Sequence, residues 1–261
     1  HLIIKHRLND NDSIRVDSAY NSYGRYLVEE IAFSDGTVWG VEEIGNRANK
    51  LNGTGGNDII SGYSAAEGYN NSETIHGFQG NDTVYAGDGN DEIHGDAGND
   101  SLYGDAGDDT LIGGKGDDYL AGGANDDTYV FAKGAGADII YDYQYDLTQS
   151  RKDRIEFKEG IKAEDVKLER EGAHLIIKHR LNDNDSIRVD SAYNAYGRYL
   201  VEEIAFEDGT VWKMEDIANL ANQLDGTAGN DVMSGYSAAE GYNNSETIHG
   251  LEGNDEIHGN D

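Results

Sequence analysis

Six aspartates recur at intervals of nine residues in this 261-residue chain. Each follows a short turn-forming sequence and precedes a single apolar residue, so residues 77–130 are tandem nonapeptides of the form GxxGxDxUx, where U is apolar. The six are Asp82, Asp91, Asp100, Asp109, Asp118 and Asp127. Stacking such units places the carboxylates in rows about 5 Å apart, where two bare charges repel by roughly 3 kcal/mol at an effective dielectric near 20. The spacing therefore predicts a divalent cation between neighbouring rows.

The charge balance favours the same partner. The chain has 20 Lys and Arg against 51 Asp and Glu, a formal net charge of −31, which argues against nucleic acid or an anionic membrane surface as a partner and favours cations. The acidic residues are distributed through a Gly-rich and Tyr-rich pattern, with 35 glycines and 17 tyrosines, unlike a disordered acidic tail. Because there is no cysteine, disulfides cannot stabilise a thin core. We therefore expect a bound metal to stabilise it.

Targeting signals are absent from the sequence. No run approaches the roughly 18 apolar residues that span a bilayer, and residues 1–20 lack the pattern of a cleaved signal peptide. The chain begins within a strand-like segment at His1 and stops within a repeat at Asp261. We therefore expect a fragment of a larger tandem-repeat protein.

A long duplication encloses the short repeats. The sequence HLIIKHRLNDNDSIRVDSAYN starts at His1 and again at His174, and residues 62–76 recur unchanged as residues 235–249. The duplication predicts four regions: a truncated β-rich module with a terminal helix (1–52), a nonapeptide tract (53–141), a second β-rich module with a terminal helix (142–225) and the start of a second tract (226–261).

The nonapeptide pattern predicts an all-β fold. Glycines allow the backbone angles of a turn in GxxGxD, and xUx is a very short strand whose apolar residue faces inward. Consecutive strands lie on opposite faces, so repeat i stacks on repeat i+2 in a right-handed parallel winding. Asp82 then meets Asp100. The inward row is Ile60, Ile75, Val84, Ile93, Leu102, Leu111, Leu120 and Tyr129.

Residues 142–225 do not follow the nine-residue step. Partial alternation predicts strands at 154–157, 166–171, 174–180, 186–193 and 201–206. Helical spacing of Met214, Ile217, Leu220, Ala221 and Leu224 predicts a helix over 213–224. NDNDS at 182–186 resembles part of a calcium loop but lacks the downstream glutamate of an EF-hand, which favours a hairpin turn.

The units GFQGNDTVY, GDAGNDSLY, GDAGDDTLI and GGKGDDYLA resemble the repeats-in-toxin (RTX), or haemolysin-type, calcium-binding nonapeptide. DRIEFKEGIKAEDV and VEEIAFEDGTVW resemble the haemolysin-type calcium-binding-related module that accompanies such repeats. The resemblance implies a parallel β-roll with Ca²⁺ as its cofactor, held by position-six aspartates and main-chain carbonyl oxygens of the turns. It implies these metal ligands: Asp58, Asp82, Asp91, Asp100, Asp109, Asp118, Asp127, Asp231 and Asp255.

The family also implies a secreted, extracellular protein of a Gram-negative bacterium that uses the type I secretion machinery. Three features depart from the family pattern. Glu73 and Glu246 replace the aspartate beside an insertion, Asn125 replaces a glycine, and Asp138 follows Asp127 by eleven residues.

Several other side chains allow two interpretations. His76 and His94 stack two units apart and suggest zinc, but two ligands are too few for a structural zinc site, which favours a surface ladder. Tyr85 and Tyr103 form an outward pair that either stabilises the sheet or binds carbohydrate. The insertion from Tyr63 to Asn71 is either a spacer or a recognition loop.

Catalytic motifs are lacking. There is no cysteine nucleophile, no GxSxG and no HExxH, and the carboxylates follow the repeat instead of converging as an acid and base pair. We therefore expect a calcium-binding region without enzyme activity that supports type I secretion of a larger toxin or effector. The alternative is an extracellular adhesin or ligand-binding stalk that uses the repeated loops 62–76 and 235–249.

Overall fold

A computed structural model describes residues 2–6, 9–16, 30–33, 36–40, 49–62, 72–141, 151–180, 182–192, 201–225, 229–230, 232–234 and 247–258. Within these residues the chain is mainly β-structure, with one α-helix, α1 (Met214–Ala221), and one 3-10 turn (Ala163–Asp165). No helix in this described part is long and apolar enough to cross a bilayer.

The strands are short and lie at regular intervals along the chain. They are β1 (Leu2–His6), β2 (Asn9–Val16), β3 (Glu30–Ala32), β4 (Val38–Gly40), β5 (Lys50–Asn52), β6 (Ile59–Ser61), β7 (Thr74–His76), β8 (Thr83–Asp88), β9 (Glu92–Ala97), β10 (Ser101–Ala106), β11 (Thr110–Lys115), β12 (Tyr119–Ala124), β13 (Thr128–Phe131), β14 (Ala137–Ile140), β15 (Arg154–Phe157), β16 (Val166–Glu171), β17 (His174–His179), β18 (Asn182–Val189), β19 (Glu203–Phe206), β20 (Val211–Lys213), β21 (Gln223–Asp225), β22 (Val232–Ser234), β23 (Thr247–His249) and β24 (Glu256–His258).

Two eight-stranded sheets form the body of the structure. Sheet A has the order β16-β17-β18-β14-β12-β10-β8-β6, and sheet B has the order β20-β19-β15-β13-β11-β9-β7-β5. Consecutive nonapeptides alternate between the sheets, and repeat i pairs in parallel with repeat i+2. Val84 lies opposite Leu102, and Ile93 lies opposite Leu111. The predicted all-β parallel roll and its two-repeat coil are confirmed.

In the nonapeptide tract the core is a row of side chains between the sheets, and the same hydrophobic cluster continues into the module that follows, for example at Ile155 and Leu175. The predicted inward residues from Ile75 to Tyr129 are all fully buried. Ile60 is only partly buried, because β6 is the edge strand of sheet A. Each repeat thus contributes one side chain to the row, in agreement with the period-two alternation of a strand.

The strands in the centre of the roll are longer than predicted. β8 to β12 each contain six residues, because pairing with the next coil resumes after the position-one glycine, where Asp105 lies opposite Gly87. The backbone turns at position two in the left-handed region, with φ of 105° at Gly114 and 73° at Asp96. The prediction of very short strands is therefore wrong for this part of the roll.

The region that follows the nonapeptides continues both sheets. β13 pairs with β15 and β15 with β19 in sheet B, and β14 pairs with β18 in sheet A, all in parallel. Each sheet then ends in antiparallel strands, β17 and β16 in sheet A and β20 in sheet B. Both sheets therefore run across residue 141, and the division of the chain into four regions stays a prediction.

The predicted hairpin turn at residues 182–186 is wrong, because β18 begins at Asn182. His179 lies opposite Asn182 in the antiparallel pair, and an irregularity between Lys178 and His179 absorbs the additional residues. The other edge of β18 pairs with β14 from Ser186 onward.

The predicted helix over 213–224 ends earlier, at Ala221. Ile217 and Ala221 are fully buried against the core. Leu224 lies instead on β21, which pairs in parallel with β23. The helix ends because the chain enters the first coil of the next tract directly after it.

The remaining described strands form small separate pairs: β1 with β2, β3 with β4, β21 with β23, and β22 with β24. The helix predicted at the end of region 1–52, the insertion from Tyr63 to Asn71 with its copy, and Asp231 lie outside the described residues.

Candidate metal centre

The position-six aspartates are joined by hydrogen bonds between stacked repeats. The main-chain N–H of Asp82 donates to Oδ1 of Asp100 over 2.7 Å, so one oxygen of each carboxylate is held by the preceding coil. We call this series the aspartate ladder. Its other rungs within the predicted ligands join Asp58 to Asp82, Asp91 to Asp109, Asp100 to Asp118 and Asp109 to Asp127, with donor–acceptor distances of 2.7 to 2.9 Å.

The ladder extends further than the sequence pattern. Glu73 and Asp138, which depart from the family pattern, are both members, and so are Asp153 and Glu202, which sequence reasoning missed. The added rungs run from Glu73 N to Asp91 Oδ1, Asp118 N to Asp138 Oδ1, Asp127 N to Asp153 Oδ1, and Asp153 N to Glu202 Oε2. One signal was available for Asp153, because the sequence Asp153-Arg154-Ile155-Glu156 repeats the DxUx half of a nonapeptide.

A second ladder runs in the opposite direction at position five. Oδ1 of Asn81 accepts from the N–H of Asn99, and Oδ1 of Asn90 accepts from the N–H of Asp108, both over 3.0 Å. Position-five side chains therefore accept from the following coil, whereas position-six side chains accept from the preceding one. Together the two ladders fix the register of each turn.

The second oxygen of each ladder aspartate is in a different environment. Within the described residues, Oδ2 of Asp82, Asp91, Asp100, Asp109 and Asp118 is buried and has no hydrogen-bond partner. A buried carboxylate oxygen without a partner is costly. These oxygens therefore need a proton or a cation.

The position-one glycines allow the carboxylate and a carbonyl to approach each other. A Cβ added to Gly77 would lie 2.5 Å from Oδ2 of Asp82 and 2.8 Å from the carbonyl oxygen of Gly95 in the next coil. Gly95 and Gly104 have the same two kinds of oxygen around them. At these three glycines a Cβ would collide with oxygens that converge from two coils, whereas the repeat from residue 86 has Ala86 at position one.

Burial changes the acidity of these carboxyls. Desolvation raises the pKa of Asp100 and Asp109 to about 7 and that of Asp118 to about 6. The main-chain hydrogen bond opposes this shift in each case, whereas neighbouring carboxylates, such as Asp82 and Asp118 beside Asp100, increase it. Desolvation likewise raises the pKa of Asp138 to about 7.

This donor set fits calcium. Ca²⁺ takes six to eight oxygen ligands from carboxylates and main-chain carbonyls in flexible geometry, and those are the two oxygen types that meet beside Gly77 and Gly95. Mg²⁺ requires stricter octahedral geometry and retains water. The turns of the central roll therefore suit calcium better than magnesium.

Of the predicted ligands at the edges, Asp58 differs from those in the centre, whereas Asp255 resembles them. Oδ2 of Asp58 accepts from the N–H and the hydroxyl of Thr54, over 2.6 and 2.8 Å. In the second tract, a Cβ added to Gly250 would lie 2.5 Å from Oδ2 of Asp255, as in the central repeats.

The last aspartate of the ladder has a cation from the chain itself. Oδ2 of Asp153 accepts from Nη2 of Arg151 over 2.6 Å and from its Nε over 3.0 Å, and both side chains are buried. Nη1 of Arg151 donates to the carbonyl oxygen of Gly123. The guanidinium thus contacts both kinds of oxygen that converge in the turns.

Two families match this sequence. The RTX calcium-binding nonapeptide repeat (4 copies) matches residues 44–66, 67–102, 94–129, 219–239 and 240–261. The haemolysin-type calcium binding protein related domain matches residues 1–43 and 174–216. The chain belongs to the RTX calcium-binding repeat proteins. Its predicted cofactor, Ca²⁺, is the ion that this repeat binds.

Among curated proteins, the RTX chain is 36% identical over 118 residues to the iron-regulated protein FrpA of Neisseria meningitidis serogroup C. That match covers 44% of this chain and 10% of the length of FrpA.

Two solved structures resemble it. The AlgE6R3 subunit of the Azotobacter vinelandii mannuronan C5-epimerase has 24% identity and a TM-score of 0.31, covering 59% of this chain and 81% of that one. The extracellular lipase LipA of Serratia marcescens has 17% identity and a TM-score of 0.24, covering 54% and 38%. Both TM-scores are below 0.5, so the roll is assigned from its own strand pairing.

The aspartate ladder yields a matched pair of substitutions. Asp109→Asn keeps a side-chain oxygen as acceptor but removes the charge, and we expect calcium affinity to fall roughly tenfold or more. Asp108→Asn changes the adjacent position-five residue to the asparagine found in other repeats, and should bind calcium like the parent. Calorimetric titration of both variants measures this. Equal affinities would contradict the assignment of Asp109 as a ligand.

The raised pKa values predict an unusual dependence on pH. Because folding raises the pKa of Asp100 and Asp109 from 3.8 to about 7, their contribution to stability is fully present below about pH 4 and is lost as pH rises through about 7. In a calcium chelator, the roll should therefore be more stable towards denaturant at pH 5.5 than at pH 8. Calcium affinity should fall as the pH drops below about 7, because protons compete with Ca²⁺ for the same carboxylates. An affinity unchanged down to pH 5 would contradict this.

Proposed function

We propose that this RTX chain is a calcium-dependent folding region of a secreted bacterial protein, which folds outside the cell and supports type I secretion of a larger toxin or effector. The single observation behind this proposal is the row of buried Oδ2 atoms without hydrogen-bond partners, from Asp82 to Asp118 in the described roll. A metal-free turn at neutral pH must either hold protons or leave these charges uncompensated.

We assign the metal ligands to all the nominated position-six aspartates: Asp58, Asp82, Asp91, Asp100, Asp109, Asp118, Asp127, Asp231 and Asp255. Main-chain carbonyl oxygens beside the position-one glycines complete the donor set. When bound, calcium supplies the positive charge that these oxygens require. The chain itself contributes the turn geometry, because both ladders fix the positions of these side chains in the folded coil.

The core supports a role for the ion in folding. Each repeat of nine residues buries one apolar side chain between the sheets, and no cysteine is present to form a disulfide. Anything that binds the folded state alone shifts the equilibrium towards it, and metal binding of this kind is coupled to folding. Without calcium, the net charge of −31 opposes compaction.

Secretion follows from the same coupling. A chain that stays unfolded where calcium is scarce can pass through a narrow export channel, and it folds where calcium is abundant. Extracellular modules bind calcium with dissociation constants of about 10⁻⁴ to 10⁻³ M, so low-affinity turns suffice outside the cell.

We assign no catalytic activity to this region. In the described roll the buried carboxylates are spaced by the repeat and are joined to main-chain N–H groups. They do not form an isolated acid and base pair in a cleft. Any reaction of the whole protein is assigned to parts beyond this chain.

Circular dichroism of the full chain tests the calcium-dependent folding. We expect a β-rich spectrum and a compact hydrodynamic radius in millimolar Ca²⁺, and an expanded chain in a chelator at pH 8. Mg²⁺ at the same concentration is the control and should restore little structure. A complete β spectrum and a compact chain in chelator at that pH would refute the proposal.

An adhesin is the second candidate. It is favoured by the exact repetition of residues 62–76 as 235–249 and by outward tyrosines along sheet A. Tyr85 and Tyr103 stack with ring centroids 4.9 Å apart, and the row continues through Tyr119 to Tyr141. The tyrosine pair predicted from the sequence is confirmed as a longer ladder.

Glycan-array binding of the calcium-loaded chain distinguishes the adhesin from a pure folding region. If the insertion recognises a ligand, deletion of residues 63–71 and of the copy at 236–244 should abolish a specific glycan signal. The same signal with and without the loops, or no signal from either protein, counts against an adhesin.

A further inference from the structure

Three metal-binding side chains meet on the outer face of sheet B, away from the aspartate ladder. His76 on β7 lies opposite His94 on β9, with ring centroids 4.3 Å apart. Asp96, two residues after His94, brings its Oδ2 to 3.2 Å from Nδ1 of His76. One ligand atom from each of the three lies within 4.8 Å of the other two. We propose that this His76–His94–Asp96 group is a binding site for a divalent transition-metal ion of the zinc type.

The donor types separate this site from the calcium turns. Ca²⁺ takes oxygen ligands almost alone, whereas two imidazoles with one carboxylate suit Zn²⁺, Co²⁺ or Ni²⁺. The sequence pattern contains only two histidines two units apart, which is too few for zinc. The fold adds the third ligand, because Asp96 reaches back across the strand pair to the preceding coil.

The position of Asp96 explains how it reaches His76. It occupies position two of its repeat with φ of 73°, in the left-handed region that glycine adopts at Gly87 and Gly114 in other repeats. A side chain there is unfavourable for an L-residue. This backbone conformation places the carboxylate of Asp96 against His76. The same carboxylate accepts a hydrogen bond from the N–H of Phe78 over 3.3 Å.

The carboxylate of Glu92 and the ring of Phe78 contact the two imidazoles. Nε2 of His94 lies 2.9 Å from Oε1 of Glu92, the carboxylate–histidine contact that commonly orients metal-binding imidazoles. The ring of Phe78 stacks on His76, with centroids 5.7 Å apart and planes 11° from parallel. The three ligands are partly exposed, at 33% for His76, 21% for His94 and 35% for Asp96, so an ion can enter from solvent.

The three ligand atoms need to move only slightly closer together to bind one zinc ion. Tetrahedral zinc with bonds of about 2.1 Å places its ligand atoms about 3.4 Å apart. Oδ2 of Asp96 and Nδ1 of His76 are already at 3.2 Å, and rotation of partly exposed side chains can bring the remaining atoms closer. Three protein ligands leave a fourth position for water, as in zinc sites that are open to solvent.

The second tract supplies an internal comparison. Its EIH sequence at 256–258 repeats the Glu92-Ile93-His94 pattern, and Nε2 of His258 lies 2.9 Å from Oε1 of Glu256. There, however, β23 and β24 belong to different sheets. Within the described residues, the group of His76, His94 and Asp96 is the only such three-ligand cluster.

The experiment uses the full chain in millimolar Ca²⁺, so that the turns are saturated before the transition metal is added. Co²⁺ is the spectroscopic probe, and Zn²⁺ displaces it in competition. We expect one high-affinity Co²⁺ per chain with the intense visible absorption of tetrahedral coordination. His76→Ala, His94→Ala and Asp96→Asn should each weaken binding by about tenfold or more, and Glu92→Gln by roughly tenfold.

Two control variants test the location. His258→Ala removes a histidine in the same local sequence, and Asp105→Asn changes the other aspartate at position two with φ of 73°. Both should bind Co²⁺ as the parent does. Circular dichroism in Ca²⁺ confirms that each variant is folded, and His94→Gln replaces His94→Ala if the latter is not.

Three results would overturn the proposal: no Co²⁺ binding at micromolar concentration, parental binding by folded His76 and His94 variants, or loss of Co²⁺ binding in Asp109→Asn with these histidines intact. The last result would place the ion in the calcium turns. Failure of calcium-dependent folding, by contrast, leaves the outer-face site unaffected as long as the sheet is formed.

Discussion

The roll depends on one interaction, the hydrogen bond from a main-chain N–H of one coil to the carboxylate of the position-six aspartate in the next. This bond orients the carboxylate so that Oδ1 joins two coils while Oδ2 is buried inside the turn. The carboxylate that aligns the coils therefore cannot stay charged unless a positive charge lies beside it. Structure and ion requirement share the same side chain, and a change to asparagine separates the two roles because it keeps an acceptor oxygen but removes the charge.

The ladder also explains why the roll tolerates irregular repeats. Partners along the position-six ladder are separated by 18 residues in the strict tract, but by 24 from Asp58 to Asp82 and by 26 from Asp127 to Asp153. The additional residues are accommodated between rungs, because each rung requires only one N–H and one carboxylate in register. An insertion can therefore leave the core row and the turn chemistry intact.

The sequence could predict the features that depend on the nine-residue step. Alternation between two sheets, the inward row from Ile75 to Tyr129 and the stacking of His76 on His94 all follow from that period. For Asp153 the sequence contained only the DxUx half of a nonapeptide as a signal, because the separation from Asp127 depends on how the intervening chain is folded. Asp96 was missed for a different reason: its side chain reaches the preceding coil only because the backbone at position two is left-handed. The start of β18 at Asn182 depends on its antiparallel pairing with β17, where an irregularity between Lys178 and His179 accommodates the additional residues.

The end of the roll shows how a parallel stack can stop without an ion. At Asp153 the counter-charge is the guanidinium of Arg151, which contacts the carboxylate and the carbonyl oxygen of Gly123. Beyond this point, sheet B needs only Glu202 to accept the final N–H, and each sheet closes with antiparallel strands that hairpins can connect. A buried Arg–Asp pair forms whenever the chain folds, whereas a calcium site forms only when the ion is present. The module after the nonapeptides therefore gives the sheet B side of the last coils a charge balance that is independent of calcium.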